Sequence, residues 1–302
     1  MENNEENNLD EEAKPGLVFL LLLDGWGVAL RGDTNAISLA KKPNLSNLIK
    51  KYPAATLEVG IGKNINTRYL NIGCSLNTNN EDEEIKNDLT KEISLAGLRQ
   101  LKIFESERMV ALTYYFNGRR EDKLVREEWL AASSEDSQYS SDVSLSLKKI
   151  IKESIKAVKS EDYNFIVAAC PALDLVASSG DLLLTAKMLE DIDKEVRQLF
   201  TEVVDKKGTL VISSAGGNAE KMVNLTTDLP DNNITDNPVP LVIAGTELSG
   251  QTIGLEDAPD GDLSLLEPVG GLSDIGLIIL KLLKVNQKKF IPEEGSVEEK
   301  ID

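Results

Sequence analysis

Short, unbroken apolar runs recur along the chain: LVFLLLL at 17–23, ATLEV at 55–59, VALTYYF at 110–116, NFIVAA at 164–169, GTLVISS at 208–214 and VPLVIAG at 239–245. Runs of this length that do not alternate with polar residues read as strands buried on both faces. Between several of them, apolar positions recur at helical spacing. In 142–159, Val143, Leu147, Ile150, Ile151, Ile155 and Val158 keep to one face, and 182–204 and 272–284 read as further helices. Strands alternating with amphipathic helices predict an α/β fold, a mostly parallel sheet with helices on both faces.

Two polar stretches break the pattern, Asn77 to Glu92 and Glu121 to Asp142, and both read as exposed connections. Residues 1–14 and 291–302 are acidic and poor in apolar groups, so they cannot offset the entropy of ordering and are expected to be disordered or flexible tails. No linker divides the remainder. A single domain over 15–290 is predicted, with the acidic connection at 77–93 inside it.

The 302 residues include 33 Lys plus Arg against 51 Asp plus Glu, a net charge of −18 that argues against nucleic-acid and acidic-membrane partners. The run from Leu17 to Leu23 is too short to insert across a bilayer. Histidine is absent, which removes His-dependent triads, the usual neutral-pH proton shuttle and most mixed-ligand zinc sites. Carboxylate chemistry survives that absence. Cys74 and Cys170 have no metal spacing and read as reduced thiols, which points to the cytoplasm.

Ligands of open parallel sheets gather beyond the carboxyl ends of the strands. Asp24 directly follows the first run in LLLLDGWG, where it reads either as a metal ligand or as a turn cap. Asp174, Ser178 and Ser179 follow the fourth run, as caps or anion-binding groups ahead of a helix. After the fifth run, SSAGGNAEKM reads as a Gly-containing strand-to-helix turn without the P-loop lysine spacing.

Taken together and in order, LLLLDGWG, TNAISLAKKPNLSNLIKKYPAATLEV, SERMVALTYYFNG, SGDLLLTAKMLEDID, GGNAEKM, NPVPLVIAG and LSDIGLIILKLL resemble the cofactor-independent phosphoglycerate mutases of the alkaline phosphatase superfamily. The resemblance covers about residues 16–284 and implies an alkaline-phosphatase-like fold. In that family two divalent metals, commonly manganese, and a serine nucleophile carry a phosphoryl group. The resemblance places two of the metal-binding aspartates on Asp24 and Asp174. It places Ile65 at the nucleophile, Ser178, Gly216 and Ile234 at histidines, and Ala215 at an aspartate. A family lysine falls on Arg108, and the family's inserted phosphotransferase domain has only the acidic stretch in its place.

The resemblance therefore implies a catalytically inactive relative, a pseudoenzyme with no expected catalytic residue, metal or cofactor. Its expected role is protein binding, scaffolding or regulation, with an unknown protein partner. Asp24 and Asp174 become structural, with Lys63 or Arg68 supplying positive charge. Two alternatives stay open. One is an altered phosphatase or phosphomutase using manganese or magnesium on Asp24 and Asp174. The other is a sensor holding a phosphorylated small molecule at helix N-termini near Ser178 and Gly217. Candidate partner surfaces are the cleft mouth, with Ile65 and Ile234, and the acidic segment Glu81 to Glu84, which reads more simply as a solvated loop.

Overall fold

A computed structural model describes residues 15–60, 64–77, 85, 87–132, 143–224, 226–227, 229–231, 233–253 and 258–286. The acidic tails, Glu81 to Glu84 and Lys63 lie outside the described residues.

Among the described residues ten strands are formed: β1 (Val18–Leu23), β2 (Ala54–Glu58), β3 (Gln100–Phe104), β4 (Glu127–Ala131), β5 (Phe165–Cys170), β6 (Thr209–Ser213), β7 (Val223–Asn224), β8 (Leu229–Pro230), β9 (Val239–Gly245) and β10 (Gly270–Gly271). The helices are α1 (Ala36–Leu39), α2 (Pro43–Lys51), α3 (Ile65–Cys74), α4 (Leu89–Leu95), α5 (Val143–Ser160), α6 (Ala172–Ala177), α7 (Leu182–Asp205) and α8 (Asp274–Leu282). Eight strands form one sheet in the order β10-β2-β9-β6-β1-β5-β3-β4, while β7 and β8 make a separate ribbon. Every pairing in the large sheet is parallel except those of β9, which runs against β2 and β6.

The central strand β1 shows why a continuous apolar run is required. Its side chains alternate between faces. Phe19, Leu21 and Leu23 enter one core with α1, α2, α5, α6 and α7, while Val18, Leu20 and Leu22 enter the other with α3, α4 and α8. Both faces are covered, as a parallel sheet demands. Four helix starts among the described residues are fixed by side chains: Asn35 accepts from the Ser38 amide of α1, Asp181 from the Leu184 amide of α7, Asp88 from Lys91 of α4, and Asn64 from Asn66 of α3.

Three sequence expectations are corrected. The run at 110–116 is not a strand: a 3₁₀ turn, Ser106–Arg108, leads into a π-helical turn, Ala111–Tyr115. Its apolar residues Ala111, Leu112 and Phe116 are buried in the core that holds α3, and Gly73 lets the Phe116 carbonyl approach where a Cβ would lie 2.0 Å away. The two connections are not wholly exposed. The first ends in α4, whose Leu89 and Thr90 are buried, and the second contains the edge strand β4. The neighbouring strand β3 escapes an apolar scan because Gln100 and Lys102 occupy alternate buried positions, where the Gln100 amide donates to the Thr90 carbonyl and Lys102 donates to Thr90 and Glu127. Residues 214–222 also fail to start a helix, forming a turn with an isolated bridge between Gly25 and Gly217.

Candidate functional site

The parallel strands deliver their chemistry at one edge of the sheet. Asp24 ends β1; Asp174 enters from α6, directly after β5; the 3₁₀ turn after β3 brings Arg108; the turn after β6 brings Ala215 and Gly216; and α3 contributes Arg68 and Tyr69. Gly25 makes the approach of β1 and α6 feasible: its φ is +95°, and a Cβ there would lie 2.5 Å from the Asp174 amide. In return the Asp174 amide donates to the Asp24 carbonyl at 3.0 Å.

Arg108 is the hub. Its Nε donates to Asp24 Oδ2 at 2.5 Å, and its Nη2 to Asp174 Oδ2 at 2.6 Å, so one planar guanidinium ties the two carboxylates together. Asp24 is buried and also accepts from the Tyr69 hydroxyl at 2.9 Å and the Ala215 amide at 3.2 Å. Burial pushes the Asp24 carboxyl up from its ordinary range, and the adjacent Arg108 charge opposes that rise. Tyr69 is pushed well above the usual phenol value by burial and by the Asp24 charge, so it remains a donor. Burial works to lower the Arg108 pKa, but the charge of Asp24 outweighs it, with help from Tyr69 and Asp174, and the group stays protonated.

A second guanidinium lies alongside. Arg68, also buried, donates to the Ala215 carbonyl at 3.4 Å, the Thr235 carbonyl at 2.9 Å and Asp236 Oδ1 at 2.9 Å. Burial lowers its pKa, while the charges of Asp236, Asp24 and Glu220 raise it. Asn218 completes the ring, its Nδ2 donating to Asp174 Oδ1 at 3.0 Å and to Ser178 Oγ at 3.2 Å.

Asp24 and Asp174 are brought together. The cation between them is Arg108 rather than Arg68, which bonds to Asp236 and backbone carbonyls; Lys63 lies outside the described residues. Ser178 is not ahead of a helix N-terminus. It caps the carboxyl end of α6 and donates back to the Asp174 carbonyl, while Asp181 caps α7. Gly217 lies in the bridged turn, so neither residue offers the helix N-terminus on which the sensor alternative rested. Ile65 opens α3 half-buried against the core, and Ile234 is half-buried as well.

Sequence reasoning missed Glu220 and Asn218. Buried Glu220 accepts from Thr235 Oγ1 and from Asn237 Nδ2, and its carboxylate lies where Cβ atoms at Gly27 and Gly217 would be, at 2.1 and 2.5 Å. Burial pushes its carboxyl up. The available signal was the GGNAEKM segment, which holds both residues.

A profile of the metalloenzyme superfamily matches residues 16–287. The chain belongs to the metalloenzyme superfamily. Among curated relatives, the 2,3-bisphosphoglycerate-independent phosphoglycerate mutase of Cyanothece sp. is 32% identical over 206 residues, 68% of this chain and 37% of that protein. The corresponding mutase of Acaryochloris marina is also 32% identical, over 70% of this chain and 38% of its own length. The chain thus spans somewhat over a third of the mutases it matches. Its fold is similar to Leishmania mexicana phosphoglycerate mutase, with a TM-score of 0.58 and 22% identity over 71% of this chain and 39% of that one. It is also similar to alkaline phosphatase from the Antarctic bacterium TAB5, at 0.57 and 13% identity over 91% and 100%. At these identities the two structures speak to the fold, which is alkaline-phosphatase-like.

Membership of a metalloenzyme superfamily implies bound metal, and the residues present do not fit it. Guanidinium nitrogens take the oxygens with which Asp24 and Asp174 face each other. The other positions aligned by the resemblance carry Ile65, Ser178, Ala215, Gly216 and Ile234, of which only Ser178 has a side-chain oxygen, and that hydroxyl is bonded to the Asp174 carbonyl and Asn218. Among the described residues no three His, Cys, Asp or Glu side chains converge as a cation site requires.

Proposed function

We propose that this superfamily member is catalytically inactive in phosphoryl transfer and that its intact α/β domain serves protein recognition, as a scaffold or regulator. One observation carries the reading: the two carboxylates best placed to hold metal are spent on Arg108. A phosphoryl-transfer site of this kind needs cations to neutralise phosphate and an oxygen nucleophile. Here the nucleophile position is Ile65, whose side chain has no group that can accept phosphorus. The two cores on either side of the sheet are complete, which favours a chain kept for its surface. Met109 and Val110, directly after Arg108, are apolar and 47% and 50% exposed. The unpaired, buried thiols of Cys74 and Cys170 are consistent with a cytoplasmic setting.

The test is turnover. Purified protein is assayed with 3-phosphoglycerate, 2-phosphoglycerate and p-nitrophenyl phosphate in manganese or magnesium, and the expected result is no conversion above buffer. Metal-dependent turnover that disappears in Asp24→Asn would replace this reading with the altered phosphatase.

A further inference from the structure

Two buried arginines converge on the site, and recognition by the surface uses neither. We infer that Arg108 and Arg68 are built-in cations that take the place of the two divalent ions, so that this end of the sheet is held together without metal and rejects it. The inference rests on the inactive reading in one respect, that the site does no metal chemistry.

Charge is the first argument. Asp24 and Asp174 bring two negative charges into a site where their side chains are 1% and 21% exposed, and two carboxylates this close repel unless a cation lies between them. Arg108, with its side chain 8% exposed, bonds to both, and Arg68, with its side chain 2% exposed, lies close enough to feel the Asp24 charge. The two carboxylates are thus met by protein cations alone, Arg108 by direct bonds and Arg68 through a charge it shares with Asp236 and Glu220. A guanidinium suits the task because it is planar, always charged and more weakly hydrated than an ammonium, so it loses less on burial.

Space is the second argument, and it is independent of charge. A Cβ on Gly216 would lie 2.3 Å from Arg68 Nη1 and 2.7 Å from Ile234 Cδ1. Arg68 Nη1 also reaches the Ala215 carbonyl. The three positions where the resemblance places an aspartate and two histidines thus form one contiguous wall, made of the small residues Ala215 and Gly216 and of Ile234, and the Arg68 guanidinium fills the space in front of it. A longer side chain at 216 and the guanidinium cannot share that volume. The absence of ligands at 215, 216 and 234 and the presence of Arg68 are two sides of one packing solution.

Manganese uptake by the full chain tests the inference, read from loss of the free-ion EPR signal and from the melting temperature with and without Mn²⁺. Wild type is expected to leave the signal unchanged and to melt at the same temperature in Mn²⁺ and in EDTA. Arg108→Ala frees the two carboxylates and is expected to melt lower, to take up about one Mn²⁺ per chain, and to melt higher when Mn²⁺ is added. Adding Asp24→Asn to that variant abolishes the uptake. Arg108→Lys keeps the charge and is expected to exclude Mn²⁺ as wild type does, which decides the matter if the alanine variant fails to fold. Uptake by wild type or by Arg108→Lys, or a folded Arg108→Ala that ignores Mn²⁺, would overturn the inference. Phosphate-ester turnover by wild type with no Mn²⁺ uptake would sink the inactive reading and leave this one standing. Uptake without turnover would do the reverse.

Discussion

The strand that delivers Arg108 is anchored by a buried ion pair, and Glu127→Gln is the perturbation that tests it. Lys102 Nζ on β3 donates to Glu127 Oε1 on β4 at 2.7 Å, with the two side chains 1% and 0% exposed. Glu127 Oε1 also accepts from Asn117 Nδ2 at 2.8 Å and from Trp129 Nε1, and Oε2 accepts from the Leu124 amide at 2.8 Å. Lys102 further donates to Thr90 Oγ1 at 2.9 Å and lies 5.6 Å from the Phe116 ring centre. Burial pulls the Lys102 ammonium down to about 8, against the attraction of Glu127, so it is charged at neutral pH by a narrow margin. Burial works to raise Glu127, but Lys102 and the N–H donors outweigh it and hold the carboxyl below its ordinary value.

The magnitude follows from what the variant strands. Without the carboxylate Lys102 loses its proton near pH 7, and the added cost is bounded by the margin of about one pKa unit, or about 1.4 kcal/mol. The glutamine amide also turns a donor toward at least one of the N–H groups that now meet oxygen, for about 1–3 kcal/mol. The sum is about 3 kcal/mol, a fall in melting temperature of roughly 5 °C for a chain of this length. Lys102→Met strands the carboxylate instead, and the double variant should lose less than the two singles added together.

The pH dependence has a definite sign. Between about 8 and the ordinary lysine value of 10.5 the unfolded chain binds the proton that the folded chain has lost, so this residue makes stability rise with pH across that window. In Glu127→Gln the rise should begin below neutrality. Urea unfolding followed by circular dichroism reads both quantities. A loss under about 0.5 kcal/mol, or strict additivity in the double variant, would refute the reasoning.

Gly216→Ala should destabilise by about 1–3 kcal/mol through the clash with Arg68 and Ile234, and trimming Arg68 to Ala should make the second change cheaper than it is alone, as read by a thermal double-variant cycle. Ile65→Ser places a hydroxyl at the head of α3 but no metal ion to activate it, so phosphate-ester assays in manganese should stay at background. Burial pushes the Cys170 thiol up to about 12 and the Cys74 thiol higher still, so both should react with a thiol reagent such as DTNB only as fast as the protein unfolds. Tyr69→Phe removes one of the donors to Asp24 and should cost about 1 kcal/mol in urea unfolding while leaving Mn²⁺ uptake unchanged.

The candidate site was legible where one residue type forces one conclusion. Asp24 and Asp174 follow apolar strands, and a carboxylate at the end of such a strand must meet a partner at the edge of the sheet. The partner was harder to find. Arg108 sits in a segment whose VALTYYF tail looks like a strand, and only the packing of Leu112 and Phe116 into the core beside α3 turns that segment into the 3₁₀ and π-helical turns that swing the guanidinium inward. Arg68 and Lys63 offered the same charge nearer to Asp24 along the chain, and the sequence contains nothing that prefers Arg108, 84 residues from Asp24, as the partner that makes the pair. Lys102 and Glu127 were invisible for a related reason, since a buried charge looks like a solvated one until its partner is in view.

Local patterning thus determined the α/β class, the central strands β1, β5, β6 and β9 and the long helices α5 and α7, because burial on two faces or on one stripe leaves a periodic record in the chain itself. The resemblance, not the pattern, places Ile65 at the family's nucleophile, and an isoleucine side chain has no group that accepts a phosphoryl group. Tertiary structure alone decided which cation neutralises which carboxylate and which polar residues go inside. Those choices depend on distances between residues remote in the chain, and charge at close range in a poorly solvated site is worth far more than the same charge in water.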